Sequence, residues 1–583
     1  MTATAERTLP IPAGHREFTV KVDGEEVGRE NQLLSVSVVK SVNRIASARL
    51  GYLDGSAATN DFPLSNAGIF TPGRKVEISA GTGDGAKPVF NGIVIRQGLR
   101  VRERSAPQFL VECRHAASRL AVGRRNACFL DQKDSDIIAD LLDRAGLESD
   151  VEDTSVTHAQ VVQYRATDWD FLLARAEANG KLVLTNDAKV AVRAPAFDAE
   201  PTCTLQFGAT VLELDADIDA RRQAAGMTAV SWDPAQQEVV ESEAATPPTD
   251  GPGNQSGDDL AKAAGIESDR LVHAALNSEE AKAWADAAWL KSRMSKVSGR
   301  VKCEGIATVS PGDVVTLAGM GDRVSGKAFV TGIRQECDLV QGWKTHVQFG
   351  GVDGWSAADT SAVTAPAAGA LVPAVQGLQI GTVVSNEDDK GEHRVRIRLP
   401  LVDEKEEGVM ARVASLDAGA ERGFFFRPEL GDEVLVGFLD DDPRQPVLLG
   451  MLHSSANAAP LQGSDDNHEK CYQSRSKMRL YFNDDQKIAR LETPAGNSVE
   501  LSEKDKSLVL KDQSGNKISL TPDGITIESV KAIVLKAGTD LNLESGTALS
   551  AKGGTSLKLE GATSAELSSA ATTKVTGGLV QIN

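Results

Sequence analysis

The C-terminal stretch of residues 533–583 repeats a pair of apolar residues at every eighth position. The two members of each pair are separated by one residue, so both lie on the same face of an extended strand. A period of eight is far from the 3.6 residues of a helical turn, and it therefore excludes a helix. The columns of this octad repeat are Ile533, Leu541, Leu549 and Leu557, continued by Ala565 and Thr573, and Leu535, Leu543, Ala551, Leu559, Leu567 and Val575.

Glycine recurs in a further column of the octad repeat, at positions 538, 546, 554 and 578, where it permits a bend between short strands. Each such strand buries one apolar stripe and leaves its backbone edges unpaired. Two inward residues per octad are too few for a single-chain solenoid, whose coils take about 20 residues or more. We therefore predict that three chains wind around one axis as a β-prism, with the apolar columns as its core. The alternative for a Thr-, Ser-, Ala- and Gly-rich stretch is disorder, which does not require aligned columns.

Charge and cysteine usage exclude several classes of function. The chain carries 63 Lys and Arg against 82 Asp and Glu, a net charge of −19, which argues against sequence-independent nucleic-acid binding and against docking on anionic lipid. No apolar run reaches the roughly 18 residues of a membrane span, and MTATAERTLPIPAG lacks the apolar centre of a signal peptide. The six Cys are scattered without a CxxC pair and are predicted to be reduced thiols of a protein made in the cytoplasm.

Candidate motifs for nucleotide or metal chemistry are incomplete. Residues 321–328, GDRVSGKA, nearly match a P-loop, but Ala328 stands where a Mg²⁺-binding hydroxyl is required and a strand pattern follows. Residues 81–88 are glycine-rich without a βαβ unit, so both stretches are predicted to be hairpin loops. The eight His show no HxH or HExxH spacing. The acidic runs 387–389 and 440–442 lack EF-hand spacing and are predicted to be solvated turns.

Strand and helix patterns alternate through the rest of the chain. Residues 15–120 alternate apolar and polar positions between turns of DG and SG type, which predicts a small barrel. Capping residues before an apolar helical period predict helices over residues 134–146 and 167–180, and a third helical pattern spans residues 278–296. Residues 243–259 and 356–378 have the composition of a loop and an Ala/Pro-rich linker.

Two stretches resemble VgrG proteins and other contractile-tail hub-spike proteins. The sequences RVRIRLP and RPELGDEVLVGFLDDDPRQPVLLG resemble the OB-fold segment of that family, and ATDWDFLLARAEANGK and VSPGDVVTLAGMGDRVSGKAFVTGIRQE resemble its tail-hub domain, which is related to the phage late-control D protein. The matching positions are Arg427, Pro428, Gly431, Asp432, Glu433, Val434, Phe438, Leu439, Asp442, Pro443, Pro446 and Gly450. Met410 replaces a Trp common in VgrG barrels, and the chain is short for a type VI spike. Both departures favour an extracellular contractile injection system.

The resemblance implies a fold class that is mainly β with a few helices. It comprises tail-hub β-barrel domains, an OB-fold barrel and a C-terminal intertwined triple-stranded β-helix, in a homotrimer. The predicted domains are 1–240, a tail-hub barrel with a helical insertion; 241–355, a second hub barrel portion with its preceding helix; 356–378, a linker; 379–455, the OB-fold barrel; 456–496, a connector; and 497–583, the octad-repeat spike.

The function implied by the resemblance is structural. The trimer would cap the hexameric inner tube of a phage-tail-like particle, contact baseplate proteins, carry a PAAR-like tip protein, and puncture the target envelope when the sheath contracts. The particle would be delivered to the extracellular space or the target cell, with transient membrane contact and no nucleic acid. Docking of the tip is expected on the last residues, Gly577, Gly578, Leu579, Val580, Gln581, Ile582 and Asn583.

Two other functions remain open from the residues. One is a type VI secretion VgrG that acts as an effector carrier. The other is a tail adhesin whose OB barrel binds glycan; exposed aromatics would favour it, but Phe424, Phe425, Phe426 and Phe438 are predicted to lie in the core. The interval 452–478 is too short for the lysozyme domain of some phage spikes and lacks a carboxylate pair. We therefore expect no enzymatic activity, no cofactor and no metal.

Overall fold

The computed structural model describes residues 17–582 except 82–84, 187, 234–235, 250, 274–275, 352–362, 365–366, 371–373 and 403–407. Much of the predicted linker 356–378 lies outside the described residues, as does Asn583. The described residues fall into two compact units, one of residues 17–376 with 438–445 and one of residues 377–437 with 446–582. Within them, no helix has both the length and the apolar character needed to cross a membrane.

The first unit combines strands with five helices. The helices are α1 (Pro63–Asn66), α2 (Asp134–Arg144), α3 (Asp168–Ala178), α4 (Gly257–Ala264) and α5 (Ser278–Met294). The strands are β1 (Glu17–Val22), β2 (Glu25–Glu26), β3 (Leu33–Ser41), β4 (Ser47–Leu53), β5 (Lys75–Gly81), β6 (Lys87–Arg102), β7 (Ser105–Arg114), β8 (Arg124–Lys133), β9 (Ser149–Val151), β10 (Thr157–Thr167), β11 (Leu182–Leu184), β12 (Val190–Arg193), β13 (Thr204–Gln206), β14 (Val211–Ile218), β15 (Met227–Asp233), β16 (Glu238–Glu243), β17 (Asp269–His273), β18 (Val297–Glu304), β19 (Val314–Ala318), β20 (Gly326–Asp338) and β21 (Gly342–Phe349).

One sheet organises the first unit. Its main path runs β14-β18-β21-β20-β3-β4-β7-β6-β5-β1-β2, and β13 and β19 attach beside it. Every pairing from β14 to β6 is antiparallel. Alternate residues bury one face, so that Val347, Val38, Leu50 and Val111 are almost inaccessible. The boundary predicted between residues 240 and 241 falls inside β16.

Helices α3 and α5 begin after residues whose side chains cap them. Helix α2 begins after Lys133, which makes no capping bond, and Asp134, the predicted cap, lies inside the helix. Thr167 accepts a hydrogen bond from the backbone N–H of Asp170 (3.1 Å), and Asn277 accepts one from that of Glu280 (2.8 Å). These bonds satisfy N–H groups that have no partner inside the helix. The hairpin predicted for residues 321–328 is also confirmed, because β19 and β20 pair antiparallel across it.

The second unit begins with the predicted small barrel. Its strands are β22 (Gln379–Ser385), β23 (Val395–Arg398), β24 (Val409–Val413), β25 (Ala418–Gly419), β26 (Arg422–Gly423), β27 (Glu433–Phe438) and β28 (Pro446–Met451). Five of them close a barrel in the order β22-β23-β24-β28-β27, around Val383, Ile397 and Val434. The acidic run 387–389 is not simply solvated, because Arg394 donates to both oxygens of Asp388 (2.8 and 3.0 Å) and lowers its pKa.

A seven-stranded antiparallel sheet follows the barrel. Its strands, in spatial and sequence order, are β29 (Glu469–Gln473), β30 (Arg479–Asn483), β31 (Ile488–Glu492), β32 (Ser498–Ser502), β33 (Ser507–Lys511), β34 (Lys517–Thr521) and β35 (Gly524–Glu528). The sheet begins within the range 456–496, where the sequence predicts a connector. Beyond it, residues 529–582 contain no strand within this single chain. The predicted mainly β class with a barrel is confirmed, whereas the wound triple helix stays a prediction.

Candidate assembly site

The seven-stranded sheet is built from repeated hairpins. Strands β30, β32 and β34 begin at Arg479, Ser498 and Lys517, which are nineteen residues apart. The turns TPAGN (493–497) and DQSGN (512–516) recur at the same spacing. The octad columns do not predict this hairpin repeat, whereas the two turns with their shared Gly-Asn end are a sequence signal for it. The sheet is therefore built from one hairpin unit that repeats along the chain.

Strand register aligns the apolar residues of these hairpins in two rows, which together form the apolar face. The first row is Leu480, Leu491, Val499, Leu510, Ile518 and Ile527, and the second is Phe482, Ala489, Leu501, Leu508, Leu520 and Ile525. The exposed fraction is 37% for Val499 and 71% for Ile525. A continuous exposed apolar surface of this kind marks an interaction site.

The opposite face of the sheet is polar and carries ion pairs within one chain. Arg490 forms an ion pair with Glu500 (2.5 Å), and Arg479 approaches Glu492 to 3.7 Å. Both guanidinium groups also lie over the ring of Tyr481, at 4.6 and 5.8 Å from its centroid. These polar contacts suit a surface that faces water. The sheet thus has one polar face with its own ion pairs and one face that lacks apolar partners.

Asparagine side chains join successive turns along one edge of the sheet. Asn497 Oδ1 accepts a hydrogen bond from the backbone N–H of Gln513 (3.0 Å). One repeat later, Asn516 Oδ1 accepts from the N–H of Val530 (3.1 Å) and from Ser529 Oγ (2.9 Å). The same contact therefore links neighbouring hairpins and then carries the chain from β35 into the octad repeat.

The predicted trimer-core residues of the octad repeat are exposed in the single chain. Their exposed fractions run from 52% for Ile533 to 83% for Leu559. The others in that range are Leu535, Leu541, Leu543, Leu549, Leu557, Leu567 and Val575. The two columns extend the two-row pattern of the apolar face, but nothing in one chain covers them. Their place in a trimer core stays a prediction.

The residues predicted to dock a tip protein lie at the end of the octad repeat. Leu579 and Ile582 are 87% and 89% exposed, and Val580 is 48% exposed. Gly577, Gly578 and Gln581 are exposed as well. Asn583 lies outside the described residues. The docking role of this terminal segment stays a prediction.

The placement of Phe424, Phe425 and Phe426 in the barrel core is wrong. Their side chains are 53%, 72% and 51% exposed, while Phe438 is half-buried as a barrel-strand residue. The small β25–β26 hairpin precedes them, so the segment leaves the barrel wall before β27 returns to it. The three residues are apolar, but apolar composition alone does not establish burial.

This aromatic loop, residues 424–426, is continuous with the apolar face. Phe426 packs edge-on against Tyr472 with ring centroids 4.8 Å apart. Tyr472 in turn lies opposite Leu480, the first residue of the first apolar row. Phe425 instead lies near the ring of His393 (6.4 Å) and under the guanidinium of Arg427 (5.7 Å). Phe424 lies beside Phe426, with ring centroids 5.9 Å apart. These two aromatics therefore extend the apolar face, and Phe425 has polar neighbours.

The first unit contains a buried network of ionisable side chains around Asp134. Arg175 donates to both carboxylate oxygens of Asp134 (2.6 and 3.0 Å), Asn179 donates at 2.7 Å, and His158 Nε2 lies at 2.9 Å. Burial alone raises the pKa of Asp134, but the bonds and charge of Arg175 outweigh it, so the pKa is lowered. In the part of the chain that the structure describes, no group of three His, Cys, Asp or Glu is placed to hold a metal. The geometry is that of a structural ion pair.

Comparison with known protein families gives two matches. The model described as "Alg8 N-terminal domain" matches residues 13–338, more than half of the chain. The model described as "Type VI secretion system/phage-baseplate injector OB domain" matches residues 379–453, which contain the closed barrel. The second match confirms the OB-fold assignment that was predicted from RVRIRLP and the glycine- and proline-marked strands after it.

Curated relatives match over short segments. The chain is 35% identical over 96 residues to the "Actin cross-linking toxin VgrG1" of Vibrio cholerae, covering 15% of this chain and 9% of that protein. It is 47% identical over 51 residues to the "Type VI secretion system spike protein VgrG5" of Pseudomonas aeruginosa, covering 9% of this chain and 6% of that protein. These matches thus span less than an eighth of either relative.

Among solved structures, a tail protein from Neisseria meningitidis is similar with a TM-score of 0.43 and 14% identity. The match covers 59% of this chain and 98% of that protein. Because this TM-score is below 0.5, the family assignment of this chain depends on the sequence matches.

Proposed function

This chain belongs to the VgrG and contractile-tail hub-spike family, with an Alg8 N-terminal domain and a baseplate-injector OB domain, and we propose that it is the trimeric hub-spike of a phage-tail-like contractile injection system. The first unit would cap the hexameric inner tube and contact baseplate proteins. The seven-stranded sheet and the octad repeat would form the spike, with a PAAR-like tip protein on its last residues. Its role is mechanical, driven by sheath contraction, and no enzymatic step belongs to it.

The apolar face is the observation that carries this proposal. A single chain leaves both rows exposed while the other face is closed by its own ion pairs. Burying a Leu or Ile side chain contributes about 1.5–3 kcal/mol, so two rows together supply a large driving force for association. Three is the smallest number of chains that forms a ring in which each octad has two different neighbours. A trimer therefore covers the apolar face and pairs the open edges of the octads at once.

The oligomeric state gives the direct test of this proposal. We expect light scattering of the purified full-length chain to give a mass near three times that of the 61.7 kDa chain, independent of protein concentration in the micromolar range. Two apolar sheets packed face to face would instead give a dimer. Either a dimer or a monomer would refute the trimeric spike.

Exposure of the aromatic loop favours one second candidate, a tail adhesin whose OB barrel binds glycan. Phe425 is 72% exposed beside His393 and Arg427, a combination of aromatic stacking and polar groups that suits a sugar ring. Under the spike proposal, Phe425→Ala should leave glycan-array binding at background and the mass of the particle unchanged. Phe424→Ala is the matched control within the same loop. Glycan binding that is lost only in Phe425→Ala would favour the adhesin.

A type VI effector carrier differs from the extracellular spike in what it transports. The two relatives named above are a toxin and a secretion-system spike, and neither matches this chain over more than a small part of its length. We therefore keep the effector carrier as a variant of the same mechanical role, in which cargo would travel with the spike into the target cell.

A further inference from the structure

A cavity of about 170 Å³ lies in the first unit, beside the ion pair of Asp134, and is lined by residues of α2, β10, α3, β17 and α5. Its most buried side chains are Asp134 and His158, which are 1% and 5% exposed. The carboxylate of Glu280, 27% exposed, and the exposed His273 lie on its solvent side. A cavity of about 150 Å³ can hold a molecule as large as benzene, so this space fits a small organic group.

One nitrogen of the buried His158 ring lacks a partner. Nε2 lies 2.9 Å from Asp134 Oδ2, and a carboxylate only accepts hydrogen bonds, so we assign the ring proton to Nε2. Arg175 lies farther from Nε2, at 3.1 Å, and already donates to both oxygens of Asp134. In the neutral ring the other nitrogen, Nδ1, is then an acceptor. Nδ1 makes no hydrogen bond within the described residues, because Glu280 Oε1 is 3.6 Å away.

The carboxylate of Glu280 is a second acceptor on the cavity. The cap of Asn277 on the backbone N–H of Glu280 (2.8 Å) fixes the start of α5 and therefore the position of this residue. Its Oε1 approaches Arg175 Nη2 only to 3.7 Å, which is beyond hydrogen-bond distance. A ligand nitrogen about 2.9 Å from both Glu280 Oε1 and His158 Nδ1 would donate to each through a separate N–H bond.

The charges around the cavity favour a cation. Burial alone lowers the pKa of Arg175, but its bonds to Asp134 and the charge of that carboxylate outweigh burial, so the pKa is raised. The pKa of Asp134 is lowered, so both members of the pair stay ionised and their charges cancel. With neutral imidazoles, Glu280 leaves one net negative charge at the cavity. A ligand with a single positive charge neutralises it, whereas an anion is repelled.

The remaining walls are aromatic and apolar. The rings of His273 and Trp284 meet at 85° with their centroids 6.4 Å apart. Val156, Leu276 and Ala283 complete the lining. Aromatic faces attract cations and also pack against alkyl chains. These walls suit the carbon chain of an organic cation better than the water shell of a metal ion.

We propose that this cavity binds a primary alkylammonium group. Glu280 and His158 Nδ1 accept its N–H bonds, and Trp284 packs against its alkyl chain. Two sources carry this chemistry, a free amine and the lysine side chain of a partner protein. The site goes beyond the mechanical role of the spike and does not depend on assembly, because all its residues belong to the first unit of one chain.

Isothermal titration calorimetry of the full-length chain with n-butylammonium chloride tests the site. We expect saturable binding at one site per chain with a Kd of about 1 mM or tighter. Two probes should bind at least about 10-fold more weakly: n-butanol, which lacks the charge, and tetramethylammonium, which lacks N–H donors. Equal binding of either probe would overturn the proposal. This comparison uses the unaltered chain and so does not depend on the folding of a variant.

Glu280→Gln should weaken the binding of n-butylammonium by about 10- to 100-fold, because it removes a charge-assisted hydrogen bond. Glu279→Gln is the matched control. Glu279 is an exposed residue in the same turn of α5, does not line the cavity, and its change alters the net charge equally. The control should keep the full affinity. An affinity that Glu280→Gln leaves unchanged would show that the amine binds elsewhere and would refute the site.

Nα-acetyl-lysine amide separates the two sources of the amine. Binding as tight as that of n-butylammonium supports a lysine side chain as the ligand, because the cavity then admits the side chain with its backbone attached. Binding of n-butylammonium alone supports a free amine. If neither compound gives saturable binding, the cavity is not an amine site.

Discussion

Leu510→Asp is expected to dissociate the trimer into single chains. Leu510 lies in the middle of the first apolar row, between Val499 and Ile518, and is 40% exposed when the chain is alone. In the trimer this variant would enclose three carboxylates at one level of the spike. The effective cost of burying an unpaired ion is several kcal/mol, and each lost Leu side chain removes about 1.5–3 kcal/mol more.

The adjacent residue supplies the control for that change. Lys511 lies on the same strand but points to the polar face of the sheet, opposite Lys517 and Ser498. Lys511→Asp places the same carboxylate one residue away and should leave the mass near three chains. Light scattering at equal protein concentration compares the two variants. If both stay trimeric, the apolar face does not form the contact between chains.

Local signals in the sequence were enough to place α2, α3, α5 and the barrel. They did not place α4 (Gly257–Ala264), which begins inside the stretch 243–259 that was predicted to be a loop. The Thr167 and Asn277 caps fix where α3 and α5 begin, because their side chains satisfy backbone groups only a few residues away. The OB barrel was predictable from alternating residues such as Val395 and Ile397, whose period of two establishes which side is buried. These features depend on residues close together in the chain.

Surfaces that depend on long-range register could not be predicted in the same way. The two rows of the apolar face are one example, because they align only once strand register places Leu510 opposite Val499 and Ile518. Likewise, the sequence shows that Phe424 and Phe426 are apolar but does not show that the loop leaves the barrel to join Tyr472. Burial follows from tertiary contacts, so composition predicted a core where the fold has a surface.

The hub and the spike need different kinds of stability. Side chains such as Leu510 and Ile518 are exposed in the single chain, so the stability of the proposed spike would depend on assembly. In the first unit, the network around Asp134 is complete within one chain and ties α2 to α3 and β10. A variant of this buried ion pair can therefore separate the stability of the first unit from the stability that comes from assembly.

Asp134→Asn is accordingly expected to destabilise the first unit without changing the mass of the particle. Asp134 is 1% exposed and accepts two hydrogen bonds from Arg175, whose charge would lose its closest partner. Removing one member of a buried pair typically costs about 3–5 kcal/mol. Asp153→Asn is the control, because Asp153 pairs with Lys133 at the surface (3.0 Å), where solvent screens the interaction and the pair contributes little to stability. Calorimetry of the full-length chain should show a lower hub transition only for Asp134→Asn.

The unaltered chain and Asp134→Asn are expected to differ in transition temperature. The pH dependence of this difference distinguishes the effect of the charge of Asp134 from the effect of its shape. The pKa of Asp134 is lowered below 3.8 in the fold, so its stabilising contribution is fully present above that value. The contribution is lost as the pH falls through the lowered pKa, because the carboxyl is then protonated and resembles the Asn side chain. The gap in transition temperature between the unaltered chain and Asp134→Asn should therefore be constant near neutral pH and shrink below about pH 3.8. A gap that persists unchanged in acid would mean that packing, and not the ion pair with Arg175, holds α2 against α3.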